Sequence, residues 1–165
     1  MFRTNIALLI GSEAEADFWS SDLLQFAKAY SPVRLAVEAL AAAHHISVLP
    51  QHREDRNHAG NEYSLAQYTK SIAILQQCLG GKAKGCTQIE KVVVLITNQL
   101  FIYLCTLLGL HSEADLHLQS GLALFYEWRP RLTEEQGSLK ITPAALNFVL
   151  DAYARLDSEA RIKSE

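Results

Sequence analysis

Apolar residues recur along this chain every three or four positions, and no segment alternates with the period of two that a half-buried strand requires. The pattern predicts helices throughout. The first starts near Asp17 and carries Trp19, Leu23, Leu24, Phe26 and Ala27, and Tyr30, Ser31 and Pro32 break it. Ser31 suits an N-cap, and Pro32 suits the first helical position, where a missing N–H costs nothing. The second helix places Val33, Val37, Leu40, Ala41 and His44 on one stripe. Its alanines (Ala36, Ala39, Ala41, Ala42, Ala43) let another helix approach closely. Arg34, Glu38 and His45 form a neighbouring polar face that reads as solvated. Pro50 to Asn61 is polar and aperiodic, which predicts an exposed loop. The third helix is expected from Glu62 to Leu79, with Leu65, Tyr68, Ile72, Leu75 and Leu79 as its stripe and Gly80 and Gly81 as its stop.

Lys82 to Thr87 reads as a connector. The fourth helix, Gln88 to Leu108, is apolar on most faces and is therefore expected at the centre. Ser112 with Asp115 three positions on resembles a capping box for a fifth helix, which should run to about Trp128 and stop at Pro130. Arg131 to Lys140 is a polar connector. Thr142 and Pro143 open a sixth helix with Ala145, Val149, Ala152 and Leu156 inward, and the charged tail from Asp157 is expected to fray. The whole reads as one all-α domain over residues 1–165. It should hold about six antiparallel helices, packed as a bundle or short helical array around an apolar central helix.

Composition narrows the classes. With 165 residues, 49% of them apolar, the chain can bury one core of modest size. Its net charge of −3 and lack of a basic run disfavour direct nucleic-acid binding. Cys78, Cys86 and Cys105 are odd in number and widely spaced, which favours reduced thiols in an intracellular compartment, cytoplasmic or nuclear. The N-terminal apolar patch, Ile6 to Ile10, is not followed by a small-residue cleavage site, which argues against a secretory signal. Val92 to Leu110 is the only stretch near membrane-spanning length. Thr97, Asn98 and Gln99 in its middle would be costly in lipid, so a buried helix of a bundle explains it better than a membrane span.

Several segments, in order, resemble the fungus-specific regulatory domain that follows the zinc cluster in fungal transcription factors. The matching pieces are Asp17-Phe18-Trp19 and the Pro32-Val33-Arg34 start of an Ala-rich helix ending at His44. Tyr68-Thr69-Lys70-Ser71-Ile72 continues the match. Then come the apolar run Asn98 to Gly109, the helix carrying His117 and Gly121, and Arg155-Leu156-Asp157 near the end. The resemblance implies an all-α effector domain. The chain carries no zinc-cluster motif, has Cys105 where the family often has an acidic residue, and is about half the family's usual length. A shortened stand-alone relative, or one that completes its core as a homodimer, is the expectation.

Motifs for assisted chemistry are missing from the sequence. His44 and His45 are adjacent and point about 100° apart on a helix, and the other histidine pairs are not three or four apart, so no metal is expected. There is no Gly-x-Ser-x-Gly elbow and no P-loop, and no cofactor is expected. What remains are polar groups on apolar stripes. His117, Tyr103 and His44 are the candidate catalytic residues, and Asn98, Trp19, Trp128 and Cys105 the candidate substrate-binding ones. They could line a pocket for a small apolar metabolite and promote a cofactor-free cyclisation, isomerisation or pericyclic step, where orientation and one or two hydrogen bonds suffice. The competing reading makes each a satisfied core residue. The alternative function is a regulator-like interaction module without its own DNA-binding half.

Overall fold

A computed structural model of the chain describes residues 21–48, 54–80, 85–134 and 143–162. These residues form helices and no strand: α1 (Leu23–Ala29), α2 (Ser31–Val48), α3 (Glu54–Gly80), α4 (Gln88–Leu107), α5 (His111–Glu134) and α6 (Pro143–Ile162). The protein is all-α. Helices α2 and α3 pack along one another, α4 and α5 form a second close pair, and α2 joins the pairs by lying against α4. Helix α6 closes the other side of α4 and α5.

Helix α4 sits at the centre because its sequence leaves it no exposed face. Every residue from Lys91 to Ile102 is buried. Its ends are well defined. Thr87 Oγ1 accepts from the Glu90 amide at 3.3 Å, and the Glu90 carboxylate accepts from the Thr87 amide at 2.8 Å, a reciprocal capping box. At the other end Gly109 turns left-handed at φ 74°. The Leu110 amide then donates to the Cys105 carbonyl at 2.8 Å and the Gly109 amide to Thr106 at 3.2 Å, which satisfies carbonyls that a helix end leaves open. Helix α4 is long and apolar enough to cross a membrane by length and composition, and most of it is buried inside the fold. Two of its polar residues are accommodated within the core, while Gln99 Nε2 is buried without a hydrogen-bond partner among the described residues. Thr97 Oγ1 returns to the Val93 carbonyl at 2.7 Å, and the Lys91 ammonium lies 5.8 Å from the centre of the Trp128 ring.

Expectations change on four of the helices. The segment expected as a loop to Asn61 is helical from Glu54, so Gly60 falls inside α3, where it faces Ile46 of α2. On α2 the buried stripe is Pro32, Val33, Ala36, Ala39 and Ala43, which turns Ala41 and His44 to solvent. The small side chains face inward because α3 runs close by. Ser64 Oγ donates to the Ala39 carbonyl and Ser71 Oγ to the Pro32 carbonyl, both at 2.8 Å. Helix α5 starts at His111, so Ser112 lies inside its first turn, and it continues through Pro130 to Glu134. Proline removes one intrahelical bond. Fully burying Leu132 beyond it contributes about 1.5–3 kcal/mol, enough to offset much of that loss. Helix α6 also outlasts its expected end, reaching Ile162, and Arg161 pairs with Asp157 one turn back at 3.1 Å.

Candidate functional site

Three helices bring polar groups together around the middle of α4. Asn98, Phe101 and Cys105 are spaced three and four apart and so share one face of α4. His117 and Gly121 share a face of α5 for the same reason. Tyr68 arrives from α3. Its hydroxyl lies 2.6 Å from His117 Nε2, and the Cys105 thiol donates to the same hydroxyl oxygen at 3.7 Å. Phe101 forms the floor. Its ring meets Tyr68 edge-on at 5.0 Å between centres and His117 at 5.1 Å.

The direction of the chain of bonds follows from its chemistry. The thiol supplies its own hydrogen to the Tyr68 oxygen, so the Tyr68 hydrogen is left to donate onward. Assigning that hydrogen to His117 Nε2 puts the proton of the neutral imidazole on Nδ1. Burial decides the charge state of the cluster. Burial lowers the pKa of His117 below the usual histidine value, against an opposing pull from the Glu113 carboxylate. Burial raises Tyr68 above the usual phenol range. Burial also raises Cys105. At neutral pH the three groups are therefore uncharged, and Cys105 is a poor nucleophile.

A second, fully interior network abuts the first. Asn98 Nδ2 donates to the His117 carbonyl at 2.9 Å and to Tyr153 Oη at 3.0 Å. Tyr153 Oη, from α6, donates to the Leu95 carbonyl at 2.9 Å. The Tyr153 ring stacks on Phe125, 5.3 Å between centres and 13° between planes. Gly121 makes this possible, because a Cβ there would collide with Asn98 Nδ2 and the Tyr153 ring. Burial raises the Tyr153 phenol, with Asn98 opposing. These groups bond helix to helix and hold the His117 backbone in place.

Of the residues expected from sequence, His117 and Cys105 meet through Tyr68, and Asn98 fixes the backbone beside them. Tyr103 is two positions from both Phe101 and Cys105, about 200° around α4. It lies within electrostatic reach of Tyr153, away from the His117 cluster. His44 is exposed on α2, because the alanine stripe takes the inward face. Trp128 packs over Lys91, and Trp19 lies outside the described residues. Tyr68 and Tyr153 were not among the expected site residues. The available signal was a phenol on each apolar stripe, which needs a buried partner for its hydroxyl. Among the described residues no three His, Cys, Asp or Glu side chains converge as metal ligands would.

The fold and cluster define a class: an all-α domain with a hydrogen-bonded thiol, phenol and imidazole at a three-helix junction. No protein-family model, curated protein or solved structure matches the chain.

Proposed function

We propose that this chain is a helical ligand-binding domain that holds a small, largely apolar molecule at the seam of α3 and α5, with Tyr68 and His117 as its hydrogen-bonding and proton-carrying pair. The 2.6 Å Tyr68–His117 bond supports the reading most directly. Both residues are half-buried, so they are reached from the surface while Phe101 supplies an apolar floor. A neutral imidazole with its proton on Nδ1 can donate to a ligand carbonyl, and the phenol behind it can restore or remove charge as the ligand reacts. That is what a cofactor-free isomerisation or cyclisation needs, provided the seam also orients the molecule. In this reading Asn98 and Cys105 position the pair and do not react.

The regulator-like interaction module is the second reading, favoured by two observations. The ordered resemblance to the fungal regulatory domain covers most of the chain. Leu116, 63% exposed, directly precedes His117, and Leu65, 40% exposed, lies one turn before Tyr68, so apolar side chains flank the pair on the outside. One measurement separates the readings. A panel of apolar carbonyl compounds is screened by thermal melting. A true ligand at a hundred times its Kd stabilises the fold by about 2.7 kcal/mol, a rise of roughly 5–10 °C for a domain this size. The rise should shrink in His117→Ala and Tyr68→Phe. If both variants respond like wild type, the site is misplaced. If no compound acts and a second protein binds stoichiometrically instead, the interaction reading replaces this one.

A further inference from the structure

A fourth group completes the junction. Glu113 is exposed and stands four residues before His117, one turn away on the same side of α5. Its carboxylate acts electrostatically on His117, Tyr68 and Cys105 alike. Among the described residues the titratable groups facing His117 are thus Tyr68 from α3, Cys105 from α4 and Glu113 from its own helix.

The His117 backbone is pinned by Asn98 at 2.9 Å, so only its side chain has freedom to move. The structure shows one position of that ring, and rotation of the side chain would give a second. Inward, Nε2 accepts from Tyr68 and the ring packs on Phe101. Turned outward, the ring would meet water, and the i,i+4 spacing would bring it to the Glu113 carboxylate. Protonation removes the Nε2 lone pair, so a charged ring could stay inward only by reversing the bond and donating to the Tyr68 oxygen. An imidazolium left inside would have to turn the Tyr68 hydrogen away, and burial would penalise its charge. Outward, that charge is hydrated and paired.

We propose that His117 is a two-position switch, docked on Tyr68 and Phe101 when neutral and paired with Glu113 when it takes up a proton from solvent, and that the outward move releases α3 from α5 around Tyr68. Helix α3 leans chiefly on α2 and touches α4 sparsely, so Tyr68 is a principal tie to the other pair of helices. The switch works whether or not a ligand occupies the seam.

The test is an NMR titration of the full chain. Contacts between the His117 and Phe101 rings should be strong at pH 8 and lost by pH 5, with a midpoint below the free-histidine value of about 6.5. Glu113→Gln removes the outward partner and should lower the midpoint by about 0.3 unit. Tyr68→Phe removes the inward partner and should raise it by about 0.7 unit. Opposite shifts are required by two competing positions, and loss of the Phe101 contacts separates these from a ring that titrates in place. Amide exchange around Tyr68, corrected for its intrinsic pH dependence, should quicken about fivefold on acidification in wild type and stay flat in His117→Gln. Ring contacts that persist at pH 5, midpoint shifts of the same sign, or equal quickening in His117→Gln would each overturn the switch.

Discussion

The two close helix pairs are built by different rules. Helices α2 and α3 meet through Ala36, Ala39 and Ala43 on one side and Gly60, Ser64 and Ser71 on the other. Their side-chain hydrogen bonds, from the two serines, each run from a hydroxyl to a carbonyl of the partner helix. Helices α4 and α5 meet at Gly121, but the atoms pressed against that glycine belong to Asn98 and Tyr153, which are bonded to each other and to two further carbonyls. A small residue allows close approach in both places. What differs is whether the approached atom can yield. At the first seam it is the end of an aliphatic side chain, and at the second it is part of a satisfied network.

Removing the amide should show the largest difference. Asn98→Ala deletes two hydrogen bonds, each worth about 1 kcal/mol net, and leaves a cavity in the centre, so a loss of about 3 kcal/mol is expected. Ser71→Ala, matched for burial at the other seam, deletes one bond and should cost about 1 kcal/mol. Urea unfolding of the two variants measures both. Equal losses would mean that the Asn98 network carries no more than a simple hydroxyl bond.

The glycine itself comes next. Gly121→Ala places a Cβ against Asn98 Nδ2 and within 2.9 Å of Tyr153 Oη. Tyr153 is fully buried and stacked on Phe125, so it has no room to turn. Overpacking of this kind costs about 1–3 kcal/mol, and the better helix propensity of alanine returns up to about 1 kcal/mol. A net loss of about 2 kcal/mol is expected in the same urea assay. A neutral result would show that α5 slides along α4 and that the contact is not a lock.

The helices were legible from periodicity because each buries a face, and α4 was placed at the centre correctly because it has no polar face to expose. The α2 stripe was legible in part: Val33 is buried and Val37 and Leu40 pack against the core as expected, while Ala41 and His44 turn to solvent. Close approach of α3 buries Ala36, Ala39 and Ala43 beside them, and the neighbour of a helix is not written in its own sequence. The same limit hid half of the site. Asn98, Cys105 and His117 stood out as polar residues on apolar stripes. Tyr68 joins them only because α3 crosses α4 and α5, and Tyr153 only because α6 packs behind Asn98. Pro130 misled because a local rule about lost hydrogen bonds cannot count the burial of Leu132 beyond it.

The smallest expected effect is the most discriminating for the first seam. Gly60→Ala would place its Cβ 2.5 Å from Ile46 Cδ1 and 2.9 Å from Cγ1, a clash as close on paper as some at Gly121. Ile46 is half-buried, near the exposed end of α2, and both atoms lie on its rotatable branch. The side chain can swing away at a rotamer cost of about 0.5–1 kcal/mol. Against that stands a helix-propensity gain of up to about 1 kcal/mol for replacing glycine inside α3. The two should nearly cancel, leaving stability within about 0.5 kcal/mol of wild type by urea unfolding. A loss above about 1.5 kcal/mol would mean that Ile46 is held as firmly as Tyr153. The contrast between a yielding seam and a locked one would then have to be given up.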